Sequence, residues 1–137
     1  MRDVQEYTIL DAKAATGEGK SIYCGDHRHA IITIDTDGGG NANMTVKIQG
    51  SDGKSVDDPY SAPDFGSAQS VTNQWDYLQI VDQNTGVAID GDTGWSVSGA
   101  DDHRRFAVNV DGVKWITANV TARSAGAVTV RITLFND

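Results

Sequence analysis

The residues of this chain best suited to chemistry stand in three short strings. In Cys24-Gly25-Asp26-His27-Arg28-His29 a thiol and two imidazoles lie close together, and His103 is the remaining histidine. Two histidines one residue apart share a strand face, so with Cys24 and His103 they offer the nitrogen and sulfur donors that hold Zn²⁺. The spacing matches no common zinc pattern, and a small buried Cys beside surface imidazoles is the expected arrangement. Asp92-Thr93-Gly94 is the triplet of aspartic proteases, whose paired carboxylates share one proton to activate water. That chemistry needs a second such loop or a symmetric dimer, with an apolar strand leading straight into the Asp. Here Asp90-Gly91 intervenes, which predicts a polar turn instead. The strings DTDGGGN (35–41) and DGDTG (90–94) carry the oxygen ligands that Ca²⁺ takes, without the EF-hand spacing. Asp and Gly are also what tight turns demand, so the sequence leaves calcium open. No Gly-x-Ser-x-Gly string occurs, and DGGGN lacks the Lys-Ser/Thr ending of a phosphate loop. The expectation is no catalytic residue, no metal and no cofactor.

The aromatic residues Trp75, Tyr77, Trp95, Phe106 and Trp115 are of the kind that build a sugar- or base-stacking platform. In a β domain of this size such residues more often fill a core or an interface. Trp115 stands out because it falls on the strand face opposite Ile116 and Val120, beside Thr and Asn.

These strings have to be positioned by strands. Apolar and polar residues alternate along most of the chain, and helical spacing is hard to find, which predicts an all-β fold. In the last run, Val128, Val130, Ile132 and Leu134 share one face while Thr129, Arg131 and Thr133 share the other. The preceding run puts Ile116, Ala118, Val120 and Ala122 on one face, and the Gly of RSAGA predicts a hairpin joining the two runs. By the same reasoning Ile32 and Ile34 pair with Met44, Val46 and Ile48 through the Gly-rich connection. Further hairpins turn at Asn84-Thr85-Gly86 and Asp111-Gly112. With YTILD, SIYC and GWSVS the count reaches eight to nine short strands. The expected architecture is an antiparallel two-sheet sandwich, jelly-roll-like, as a single domain over 1–137. Residues 51–73 hold both prolines and lack sustained alternation, which predicts a long loop, and Tyr60 and Phe65 argue against simple disorder.

With 137 residues and 39% apolar content, one domain with a real core is affordable. Eleven basic against nineteen acidic residues give a formal charge of −8, which opposes binding to nucleic acid or anionic membranes. Arg104-Arg105 is the one basic pair. A single Cys allows no internal disulfide, and the first ten residues hold no apolar run suited to a signal peptide or anchor, so assembly in a reducing cytosol is expected.

The strings MTVKIQGSDGKS and GVKWITANVTARSAGAVTVRITLF, set in this layout, resemble the small acidic jelly-roll cement or decoration proteins of tailed-bacteriophage capsids. The resemblance implies a non-enzymatic virion protein on the outer capsid surface, clamping neighbouring major capsid protein subunits against DNA pressure and assembling as a homo-oligomer, dimer or trimer. The alternative is a carbohydrate-binding β-sandwich module of a tail fibre or a glycan-active enzyme. On the first reading, the expected contact residues are Val4, Tyr7, Ile9 and Leu10 of a strand-adding amino-terminal stretch, Tyr60, Pro63 and Phe65 of the long loop, and Trp115 with Phe135.

Overall fold

Among the residues the structure describes, alternation becomes twelve strands in two antiparallel sheets. The computed structural model describes residues 4–53, 62–65 and 74–136, and among these no helix occurs. The first sheet is ordered β1 (Gln5–Lys13), β12 (Ala127–Phe135), β4 (His29–Asp37), β10 (His103–Asn109), β7 (Ile80–Asp82), β8 (Ala88–Ile89). The second runs β2 (Gly17–Glu18), β11 (Trp115–Ala125), β5 (Asn43–Ser51), β6 (Trp75–Tyr77), with β3 (Ile22–Tyr23) also on β11 and β9 (Trp95–Ser98) also on β5. The strand number exceeds the expected eight to nine because several strands, such as β2, β3 and β8, are only two residues long, below what periodicity reveals.

Both sheets turn their apolar faces into one buried cluster. Ile32, Ile34, Val128, Val130, Ile132, Leu134 and Phe106 come from the first sheet, and Met44, Val46, Ile48, Ile116, Ala118 and Val120 from the second. Trp95 and Phe106 meet edge-on across the interior, their ring centroids 6.3 Å apart.

Three of the four expected hairpins are not hairpins. β4 and β5, β10 and β11, and β11 and β12 each lie in opposite sheets. β12 pairs instead with β1 and β4, with Ile132 opposite Ile32, and β11 pairs with β5, with Ala118 opposite Ile48. A single residue, Gly126 at φ 90°, separates β11 from β12, so the chain kinks and crosses to the other layer. The β7–β8 connection through Asn84-Thr85-Gly86 is a hairpin as expected. Trp75 to Asp82, which reads as one run, breaks at Leu78-Gln79 into β6 and β7 of different sheets. Ala122 does not share the buried face: a register shift between Val120 and Ala122 turns it to solvent.

Two local devices fix the crossings. At the first, the Gly38–Gly40 turn points its amides at Asp101, whose carboxylate accepts from Gly38 and Gly40 at 2.8 Å each. The bond from Gly40, with those from Gly38 and Ala42, holds the Asp101 carboxyl below its ordinary value of 3.8 against a smaller opposing effect of burial. At the second, Gly19 donates to Ala118 O and Lys20 to Ile9 O, both at 3.0 Å, tying β1 to the second sheet. A Cβ on Gly19 would lie 2.3 Å from Ile9 O and 2.7 Å from Leu10 Cδ2.

Gly19→Ala should therefore lower stability by about 1–3 kcal/mol, read as a shifted urea midpoint at constant slope. Asp101→Asn should destabilise at neutral pH. Because the folded-state pKa is depressed, the carboxylate's contribution is full above the ordinary value of 3.8 and is lost as pH falls through the lower folded value. The gap between wild type and variant in urea titrations should accordingly close in strong acid.

Candidate functional site

The strings singled out for chemistry are taken apart by the fold. Cys24 follows β3, fully buried; its amide donates to Lys114 O at 2.7 Å and its thiol to Val113 O at 3.4 Å. Burial pushes the thiol up to about 12, so it is neither a thiolate nucleophile nor a ready metal ligand near neutral pH. His27 is also buried, while His29 and His103 sit at opposite ends of the β4–β10 pairing, opposite Asn109 and Asp35. Six residues of strand separate those ends, about 20 Å, so they cannot share an ion. Among the described residues no three His, Cys, Asp or Glu side chains converge as metal ligands. Asp90 caps its own turn, accepting from Asp92 N through its side chain at 2.8 Å and from Thr93 and Gly94 N through its carbonyl. The DTDGGGN loop offers amides to Asp101, the opposite polarity from a calcium site.

What remains are the two outer faces. On the second sheet, cross-strand register lines up Tyr23, Trp115, Ser51 and Trp75 in one row. Tyr23 and Trp115 meet edge-on at 5.3 Å, with Tyr23 48% exposed and Trp115 half-buried. Trp75 is buried: its indole N–H donates to Pro63 O at 3.2 Å and Asp64 O at 3.1 Å, and Phe65 packs on its ring at 5.2 Å. Gln49, Ser51 and Thr117 are buried on this outer face too, and Asn119 donates to the Gln49 carbonyl at 3.1 Å. Of the five platform aromatics, Trp75, Trp95 and Phe106 are thus buried, and Lys47 Nζ lies 4.7 Å from the Tyr77 ring centroid.

The outer face of the first sheet carries two adjoining grooves. One, of about 510 Å³, is lined by His29, Ile31, Val81, Ala107 and Phe135 among others. The other, of about 580 Å³, is lined by Glu6, Thr33, Asp35, His103, Arg105 and Arg131 among others. Asp35 contacts the His103 ring through Nδ1 and accepts from Arg131 at 3.4 Å. Arg104 points away from this face, bonded to Asp102 at 3.1 Å.

The expected contact residues divide accordingly. Tyr7 is 39% exposed on the edge strand β1, and Val4, just before that strand, is 45% exposed. Ile9 and Leu10 are 3% exposed and belong to the core; a bulge between Thr8 and Leu10 turns both inward, which corrects their placement as available surface. Pro63 is buried and Phe65 half-buried against Trp75, so both serve their own domain first. Phe135 is half-buried beside His29, ring centroids 5.5 Å apart. Tyr60 lies outside the described residues. The sequence reading missed Tyr23, Thr33, Arg105 and Arg131, whose outward direction alternation marks but whose neighbours only the strand register reveals.

No family model matches the chain, and no curated protein matches it in sequence. Solved structures do. The chain is similar to the SPBc2 prophage-derived protein YomS, with a TM-score of 0.69 at 12% identity over 99% of this chain and 96% of that one. It is also similar to the PBSX exported protein XepA, with a TM-score of 0.70 at 15% identity over 98% of this chain but only 38% of XepA. The fold is therefore one found in phage-derived proteins, nearly whole in YomS and as part of a longer chain in XepA. No helix among the described residues is long and apolar enough to cross a membrane.

Native protein at about pH 8, below the ordinary thiol range, should react with a thiol reagent no faster than it unfolds. Cys24 labelling should accelerate in step with global unfolding as urea is added. Rapid labelling without urea would contradict the buried, protonated thiol.

Proposed function

We propose that this chain is a bacteriophage structural protein that works by contact and not by catalysis. The observation that carries the reading is the near end-to-end match to YomS, a prophage-derived protein. The finer role we propose is that of a cement protein of jelly-roll type, bound to the outer capsid surface across neighbouring major capsid protein subunits. A formal charge of −8 supports an exterior position, where packaged DNA is not a partner. Repeated over a shell, interfaces of about 1,200–2,000 Å² each would stabilise the lattice by multiplicity. The open edge of β1, with Val4 and Tyr7 exposed, supports self-pairing as a dimer or trimer.

A second reading keeps the phage origin but places the protein outside the particle. It is favoured by the name of XepA, an exported protein. Among the described residues the carbohydrate-binding alternative keeps the Tyr23–Trp115 pair and the half-buried Tyr77 as aromatic surface, since Trp95 lies inside the core.

Purified protein added to shells of the encoding phage that lack it should bind at a fixed ratio to the major capsid protein and raise the temperature at which the shells rupture. Absence of the chain from washed virions, with its recovery outside the cells, would replace the cement role with the exported one. Retention on glycans lost with Trp115→Ala would replace both.

A further inference from the structure

On the outer face of the first sheet, Thr33 of β4 is paired on one side with Arg105 of β10 and on the other with Arg131 of β12. All three side chains point away from the core, and both arginines line the same groove. Their backbones are two strand spacings apart, about 9.6 Å, with the Thr33 hydroxyl between them. In a chain with only eleven Lys and Arg, this juxtaposition is the densest positive feature of that face. Among the described residues the Arg105 guanidinium has no hydrogen-bond or ion-pair partner. Arg131 spends one contact on Asp35, which is also held by His103, and is otherwise exposed. Glu6 stands at the β1 end of the groove, paired with Thr133 in the neighbouring row.

That neighbouring row is apolar at its centre. Ala107 pairs with Ile31 and with Val81, two residues along the strands from Arg105 and Thr33. The two rows are separated by about 6.8 Å, the distance between residues i and i+2 on one face of an extended strand. A carboxylate at i would meet the arginine fork and an aliphatic group at i+2 the Ile31–Ala107–Val81 surface. We propose that this face docks an extended segment of a protein partner that carries an acidic residue and an aliphatic residue two positions apart. Arg105 and Arg131 supply charge-assisted hydrogen bonds to the carboxylate, and the apolar row supplies burial. The proposal deepens the contact function by naming the partner's chemistry and rests on that reading only in taking the ligand to be protein.

The test is an NMR titration of the intact chain with a capped pentapeptide, Ser-Glu-Ser-Leu-Ser, following backbone amides and arginine Nε–H signals. Saturable shifts are expected at Thr33, Arg105, Arg131, Ile31 and Ala107. Arg105→Gln and Arg131→Gln should each weaken binding about ten-fold, the equivalent of losing one hydrogen bond to a charged group. Arg105→Lys, which keeps the charge but not the fork, should fall between, and Arg123→Gln on β11 should change nothing. The proposal is overturned if the peptide with Gln in place of Glu binds as tightly, or if no saturable shift appears. It is also overturned if the shifts lie elsewhere, if inorganic phosphate binds this groove more tightly than the peptide, or if raising protein concentration alone reproduces the shifts. Because the titration uses no capsid, its failure leaves the shell-binding result standing, and the reverse also holds.

Discussion

The structure depends on one geometric constraint: successive strands must present their alternate side chains to the same interior while belonging to different sheets. β4 and β5, β10 and β11, and β11 and β12 all do this. Each crossing carries the chain over the end of the core, so the two layers are joined covalently many times as well as by burial. The crossings are where backbone polar groups leave the sheet ladders, and there they need partners. Asp101 meets that need at the Gly38–Gly40 turn, and the Gly19 and Lys20 amides meet it where β1 approaches the second sheet. A Cβ on Gly19, Gly38 or Gly126 would crowd a neighbouring atom, whereas Gly39 and Gly40 have open space and are held at positive φ instead.

Once alternate residues are committed to the interior, the others define two outer faces, and these faces differ. The second sheet is partly covered by its own chain: Pro63, Asp64 and Phe65 close over Trp75, and Gln49 and Thr117 are buried although they face away from the core. The polar groups there bond to one another, as the Asn119–Gln49 pair does, which is the condition for burying them cheaply. The first sheet has no such cover from the described loop residues. Its grooves bring apolar and charged groups side by side, the composition of a surface that gains from a partner.

Alternation made the fold class and most of the core legible. The inward set Val128, Val130, Ile132 and Leu134 reads directly from the sequence because one buried face imposes a period of two. The same signal is silent about which strand lies beside which, since a hairpin and a sheet crossing bury identical residues. Gly126 and Asp111-Gly112 suit either connection, and only the cooperative pairing of distant strands decides between them. Bulges were equally hidden: Ile9 and Leu10 are both buried because β1 gains a residue there, and Ala122 is turned outward by a shift in β11. For the candidate contact surface, Arg105 and Arg131 could be assigned a face from alternation but not a common neighbour. They are 26 positions apart in sequence, and Thr33, which unites them, lies in a third strand.

Similarity to YomS and XepA at 12% and 15% identity bears on where function resides. A core of this kind asks for apolar residues of suitable volume at alternate positions, a requirement many sequences meet, so the architecture persists while side chains differ. The exposed outward positions carry no such restriction from folding, and on the proposed contact reading specificity is written there. In this chain the inward alternation accounts for Ile32, Ile34, Phe106 and Ile132, but folding alone gives no reason to place two arginines on either side of Thr33 in an otherwise acidic molecule. Holding like charges two strands apart on one face raises the energy of the free protein slightly, and Asp35 relieves only one of them. An acidic partner would relieve the other, which makes the arrangement intelligible as a binding feature and not as a feature of stability.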